Sequence, residues 1–502
     1  MQNQTLPNDI EQLKSLVVSW QEKYFNLLEQ FKLAKLRQYA SSSEKNIWQG
    51  DLFDEVDQSL PEDVQAEIDD SITVTYHRKK HPVRHALPTH FPREESICDV
   101  ADSDKVCACG QHKERFGEEI TEQLDVIPPQ LKVLRYIRPK YACKACQEAI
   151  SIAALPDLLL PKSIAAPSLV AYTITSKYVD HLPLYRQEQI WQRYGIHIPR
   201  NSSCGWLMKT AELCEPLYLL LSAHIIQQSY CQADETPLQV LKEPGRDNKK
   251  QSYMWVYRAG HLTHKIAVVF DYQETRSGLH ARTFLKDFKG YLQTDGYKGY
   301  DWVDDDPSII HLGCMTHARR PFAELVKIAQ KAGKAHEAVA WIKKLYEVEQ
   351  AAQERKLSYD ERHRLRLEKA LPILMKIKTW LETSVRGSPP KGKLGQAIKY
   401  MLDRWQALTN YLQAGYLEID NNRIENDIRP FALGKNNWLF AGSPRGARAG
   451  AIFYSLIATC KANAIDPFAY LNYLLNHLRA CRDEADYKAL LPFNIDPALL
   501  KR

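Results

Sequence analysis

"SYCQADETPLQVL", residues 229–241, marks a change of texture in the chain, from helical to β-type. Two further runs of the same kind follow, "SYMWVYRAG" at 252–260 and "HKIAVVFDYQ" at 264–273, broken by polar Gly, Asn and Lys segments. Three such runs in succession predict an antiparallel meander. "LHARTFLKDF" (279–288) then reads as helical, and "GYLQTDGYKGY" (290–300) as a strand running into a Gly turn.

Strand-strand-strand-helix-strand is the opening of a ribonuclease H-like fold. Asp234 falls on the first strand and Asp295 at the end of the fourth. Those strands are neighbours in that arrangement, so the two carboxylates converge. Two-metal chemistry needs such convergence, because two Mg²⁺ ions roughly 3.5–4 Å apart must be held by hard oxygen ligands. A third carboxylate ordinarily comes from a later helix. The stretch "EIDNNRIENDIRPF" (418–431) offers Glu425, with Arg423 and Arg429 beside it to neutralise DNA phosphates. Asp420 and Asp427 remain open alternatives. Alone, the stretch reads as a solvated helix start, and each Asp beside Gly or Thr as ordinary turn chemistry; the order of the motifs makes the case.

Working outward, 502 residues with 44% hydrophobic content suffice for several domains. A net charge of +6 is compatible with a nucleic-acid partner only if locally concentrated. The N-terminus "MQNQTLPNDIEQLK" lacks the basic-then-apolar pattern of a secretion signal, and "EPLYLLLSAHII" is too short and polar to cross a bilayer. A cytoplasmic protein without membrane association is expected, and its eleven cysteines are expected to be reduced.

Within an N-terminal segment at 1–45, residues 9–36 carry a heptad register, with Ile10, Val17, Tyr24 and Phe31 interleaved with Leu13, Trp20, Leu27 and Ala34. That predicts a coiled coil and self-association, against the alternative of one amphipathic helix packed on its own domain. Residues 46–100 read as a charged linker, acidic over 51–70 and basic in "YHRKKHPVRH" (76–85). Residues 101–155 pair Cys107 and Cys109 with Cys143 and Cys146 across strand-like "LKVLRYIRPKYA" (131–142), which suits a small sheet clamped by structural Zn²⁺. The short spacing of the first pair leaves His112 as a substitute ligand.

Residues 156–227 suggest three helices of a helix-turn-helix-like DNA-binding domain, with Arg200, Asn201, Ser202 and Ser203 at the start of the third; a plain helical scaffold is the bland alternative. The core then occupies 228–320 and 416–465, interrupted by a helical insertion at 321–415 with Ser358 and Glu361 placed as a capping box. "GKNNWLFAGSPRGARAG" (434–450) suggests a phosphate cradle through Lys435, Arg445 and Arg448. Residues 466–502 form a helical end segment. The fold class expected is thus multidomain α/β: coiled coil, zinc module, helix-turn-helix-like domain and ribonuclease H-like core with a helical insertion.

The motifs together resemble one family. "SSSEK" (41–45), "GEEITEQLDVIPPQLKVLRYIRPKYACKAC" (117–146), "ADETPLQVL", "LQTDGYKGY", "GCMTHARRPFAEL" (313–325) and "DNNRIENDIRPFALGKNNWLFAGS" resemble, in this order and over nearly the whole chain, the DDE transposases of insertion-sequence-sixty-six type. The resemblance implies a bacterial DNA transposase that binds element ends, frees 3′-hydroxyls and joins them to target DNA. It implies Asp234, Asp295 and Glu425 as catalytic carboxylates holding two Mg²⁺, with Mn²⁺ able to substitute, and His317 and Arg320 near the site contacting DNA. It also implies association with the nucleoid when bound to DNA, homo-oligomers and accessory proteins encoded by the same element. The rivals are a structure-specific nuclease of the same fold and a catalytically inactive zinc and helix-turn-helix DNA-binding protein.

Overall fold

The computed structural model describes residues 9–39, parts of 93–142, 150–329 and 332–500. It divides into two compact units, residues 75–153 and the remainder. In the smaller, strand β1 (Lys140–Ala142) pairs antiparallel with β2 (Ile150–Ile152), with Tyr141 opposite Ser151. Residues 131–139 carry no strand, so the strand expected over 131–142 is confined to its last three residues. Cys107, Cys109, Cys143 and Cys146 lie outside the described residues, as does most of the linker; His112 is exposed.

The larger unit begins with helix α1 (Ile10–Tyr39). Helices α2 (Pro167–Tyr178), α3 (Leu184–Arg193) and α4 (Arg200–Ile226) follow. Helix α4 runs well beyond the length expected of a recognition helix and contains Pro216. Its continuation packs Cys214, Leu217, Leu221 and Ile225 into the main core, and that burial outweighs the helix-breaking tendency of proline.

Strands β3 (Tyr230–Gln239), β4 (Gln251–Ala259) and β5 (Ala267–Gln273) form the antiparallel meander, followed by α5 (Gly278–Phe284), β6 (Gly290–Gln293) and β7 (Ile309–Leu312). The sheet order is β5-β4-β3-β6-β7, with β3, β6 and β7 parallel. Strand β7, four residues long, was not legible as a strand in the sequence. The edge of β5 is covered: the amide groups of Val268 and Phe270 donate to Thr459 Oγ1 (3.0 Å) and Ser455 Oγ (2.8 Å) of a helix packed against it, which removes a row of unpaired donors from solvent.

Helices α6 (Met315–Ile328), α7 (Lys334–Glu354), α8 (Tyr359–Leu365), α9 (Leu371–Arg386), α10 (Lys393–Asp403) and α11 (Trp405–Thr409) build a second apolar cluster. Ser358 and Glu361 close a reciprocal capping box on α8. The chain then returns to the sheet through α12 (Asn422–Trp438), which buries Ile424, Ile428 and Phe431 at helical spacing, and α13 (Pro444–Ala462), the helix that covers β5. Helix α14 (Pro467–His477) packs with α2 in the first core. No described helix is long and apolar enough to cross a membrane.

Candidate active site

Strand register fixes where two of the acids lie. In the parallel ladder Gln232 of β3 faces Gln293 of β6. Asp234 and Asp295 each sit two residues further on, which in extended chain is the same face of the sheet. Neighbouring strands are about 4.8 Å apart, so the two carboxylates stand side by side. The chain turns directly after Asp295 at Gly296, whose φ is +88°; Asp295 Oδ1 accepts from Tyr297 N at 2.8 Å, and Tyr400 of α10 donates its hydroxyl to the Asp295 carbonyl at 3.0 Å. A Cβ at Gly296 would stand 2.4 Å from the Tyr400 hydroxyl. Gly296→Ala is therefore expected to cost about 1–3 kcal/mol of stability, measurable by chemical denaturation.

Glu425 enters from the first turn of α12. What joins it to the strands is a network of amides. Gln232 Nε2 donates to Gln293 Oε1 (2.9 Å) and to the Asp420 carbonyl (3.2 Å), Gln293 Nε2 donates to the Glu418 carbonyl (2.9 Å), and Asn421 Nδ2 donates to the Ala233 carbonyl (3.4 Å). The Gln-x-Asp pattern recurs in "QAD" and "QTD". That repetition is the signal in the sequence for these glutamines, which tie the segment before α12 to both strands.

The electrostatics record the convergence. Burial raises the Asp234 carboxyl well above its ordinary value, and the charges of Asp295, Glu235 and Glu425 raise it further. Glu425 is raised first by burial, with Asp420 and Asp295 adding to it and Arg320 and Arg429 opposing it. His317, in the first turn of α6, lies with Nδ1 3.6 Å from Glu425 Oε1; burial and the Arg320 charge lower it to about 4, so its imidazole is neutral near pH 7. Glu235, next to Asp234 in sequence, is occupied elsewhere, ion-paired to Arg276 at 2.6 Å and accepting from the Tyr300 hydroxyl at 3.1 Å.

The other acids of 418–431 have structural partners. Glu418 pairs with Arg423 (2.9 Å) and Arg362 (3.2 Å). Asp420 accepts from Tyr346 (2.9 Å), Thr316 (3.2 Å) and Asn422. Asp427 pairs with Arg258. Glu425 Oε1, by contrast, is a buried oxygen with no hydrogen-bond partner among the described residues. Three hard carboxylates that repel one another around such an atom are a donor set suited to divalent cations.

Several expected DNA contacts need correction. Arg200, Asn201 and Ser202 are exposed at the start of α4, but Ser203 is buried and cannot reach a base or phosphate. Arg445 and Arg448 lie inside α13 rather than in a loop before it. Arg445 is ion-paired to Glu212, and Arg448 pairs with Glu215 at 2.6 Å and stacks 4.0 Å above the Tyr218 ring. They bind α13 to α4. Lys435 Nζ donates to the Pro237 carbonyl at 2.9 Å, securing α12 to β3. Arg423 is taken by Glu418, whereas Arg320 and Arg429 lie near enough to Glu425 to lower its carboxyl. Cys314, the N-cap residue of α6, was also missed; its thiol accepts from Asn421 N at 3.3 Å.

Comparison with known proteins agrees with this layout in breadth. Residues 162–449 match a family model described as "Transposase IS66 family". Residues 104–147 match the "zinc-finger binding domain of transposase IS66", residues 455–493 the "IS66 C-terminal element", and residues 26–95 "Transposase C of IS166 homeodomain". Two proteins of Sinorhizobium fredii, both described as uncharacterized, are similar over their length. To y4jD the chain is 30% identical across 98% of each; to y4qI it is 30% identical over 97% of this chain and 92% of the relative.

Proposed function

Because the chain belongs to the IS66 family of transposases, we propose that Asp234, Asp295 and Glu425 are the catalytic carboxylates of a ribonuclease H-like core that cleaves element ends and joins the freed 3′-hydroxyls to target DNA. The observation that carries this reading is the mutual electrostatic coupling of these three acids around an unpartnered Glu425 oxygen. Divalent ions held by these oxygens, Mg²⁺ with Mn²⁺ as a substitute, supply charge stabilisation for in-line phosphoryl transfer. The chain's own contribution is placement. Two strands and one helix hold the acids on a common face, the amide network keeps the helix in register, and Arg320 and Arg429 place positive charge near Glu425. Cleavage and joining differ in nucleophile, water in one and a 3′-hydroxyl in the other. The same placement serves both.

DNA binding is assigned to the exposed start of α4, through Arg200, Asn201 and Ser202, and to the zinc module. With Cys107, Cys109, Cys143 and Cys146 as ligands, Cys143→Ser is expected to lower bound zinc and end binding together; unchanged zinc stoichiometry would remove Cys143 from the set. Self-association is assigned to α1. Its heptad side chains Ile10, Val17, Trp20, Tyr24, Leu27 and Phe31 are all exposed in the single chain, and pairing such a stripe with a second copy buries it. Leu27→Asp should shift the protein to a smaller species in multi-angle light scattering.

The reading is tested by transposition in cells, using a marker placed between the element's ends, supplied with any accessory proteins the element encodes. The intact protein moves the marker and Asp234→Asn does not. Movement by both would exclude Asp234. A nuclease of the same fold would cut the ends without ever relocating the marker.

A further inference from the structure

Beside the three oxygens lies a donor set of different chemistry. Cys314 precedes α6, His317 occupies its first turn, and Glu425 faces them from α12. One potential ligand atom from each lies within 4.8 Å of the other two. His317 Nδ1 and Glu425 Oε1 are both buried without a hydrogen-bond partner among the described residues, an arrangement that costs desolvation free energy unless something fills it. The thiol is held in place by the N–H of Asn421 at 3.3 Å at the N-terminus of α6; burial raises it, so the bound ion itself has to displace the proton.

Thiolate, imidazole and carboxylate form a set that borderline-soft ions take in tetrahedral geometry, leaving a fourth position open. Hard ions such as Mg²⁺ seek oxygen instead. We propose that Cys314, His317 and Glu425 form a binding site for a transition ion of the Zn²⁺ or Co²⁺ class, distinct from the zinc module and sharing Glu425 with the all-oxygen set. On binding, the thiol proton leaves to solvent, and the thiolate and carboxylate together balance the divalent charge. Both sets draw on the Glu425 carboxylate, so the two compete for it. Occupation by zinc therefore inhibits phosphoryl transfer, a consequence that rests on the functional reading above, whereas the binding itself does not.

The test uses the full-length protein with its zinc module saturated. In equilibrium dialysis against Zn²⁺, the intact chain and Asp234→Asn are expected to retain one more zinc per chain than either Cys314→Ser or His317→Gln. Co²⁺ added to protein that holds zinc in its zinc module alone, one zinc per chain, should give a thiolate-to-cobalt absorption band that is absent from Cys314→Ser. Equal zinc content in the intact chain and in folded Cys314→Ser and His317→Gln would overturn the proposal, as would loss of the additional zinc in Asp234→Asn. The two single variants guard against a folding defect in either. If Asp234→Asn still cleaved DNA, the catalytic reading would fail while the zinc count stood.

Discussion

Glu425→Gln is expected to abolish strand cleavage and to leave binding of the element end intact. The substitution keeps the size and shape of the side chain and removes its charge. Helix α12 is anchored by Ile424, Ile428 and Phe431 and by the Asn421 amide, none of which depends on the Glu425 carboxylate. Folding and end binding should therefore be unaffected. Cleavage should fall by about 1,000-fold or more, the scale seen when one member of a cooperating catalytic group is lost. Asp420→Asn provides the contrast. Its carboxylate accepts from Tyr346, Thr316 and Asn422, so its loss should lower stability more than it alters chemistry at the site. Retained cleavage in Glu425→Gln, measured on end-labelled DNA, would move the third ligand to a neighbour.

Arg366→Met is the second large effect, and it acts through the scaffold. Arg366 is 0% exposed and starts a short π-helical turn, Arg366–Ala370, between α8 and α9. Its guanidinium donates to Glu349 through Nε (2.7 Å) and Nη2 (2.8 Å), and to the carbonyls of Leu417 (2.7 Å), Tyr411 (2.9 Å) and Ala414 (2.8 Å). Such a fork engages five acceptors at once, which a lysine cannot do. Without it three carbonyls lose their donor and Glu349 keeps only Arg362, at 2.6 Å. Removing one partner of a buried pair costs about 3–5 kcal/mol, and a loss of that size is expected in the unfolding free energy obtained from chemical denaturation. The segment it holds, 411–417, leads straight to residues 418–425, so cleavage should decline in parallel. A change below about 1 kcal/mol would mean that the network repacks around the vacancy.

The sheet was legible because β3, β4 and β5 are long, because β4 and β5 are rich in β-branched and aromatic residues, and because a helix and a Gly turn follow in order. Strand β7 was not, since "IIHL" carries too few residues to show a period. The acids at 234, 295 and 425 drew notice through local motifs, but in the sequence only the family resemblance favoured Glu425 over Asp420 and Asp427. The structural partners of those two, Tyr346, Thr316 and Arg258, are all distant in the chain. The same limit hides the protein partners of Arg445 and Arg448. Both look available for phosphate in "SPRGAR", yet their partners Glu212 and Glu215 are each 233 positions away. Ser203 was misplaced for a simpler reason. Helix α4 turns that side chain into the core, and the first residues of a helix do not reveal their buried face until its full length is known.

A role for these three carboxylates in cutting and joining DNA is tested by a reaction of the purified protein with labelled DNA bearing the element's end, target DNA and Mg²⁺. The intact protein should yield a free 3′-hydroxyl at the end and then a covalently joined product, with Glu425→Gln yielding neither while still binding the end. Joined product from Glu425→Gln at the rate of the intact protein would contradict the account.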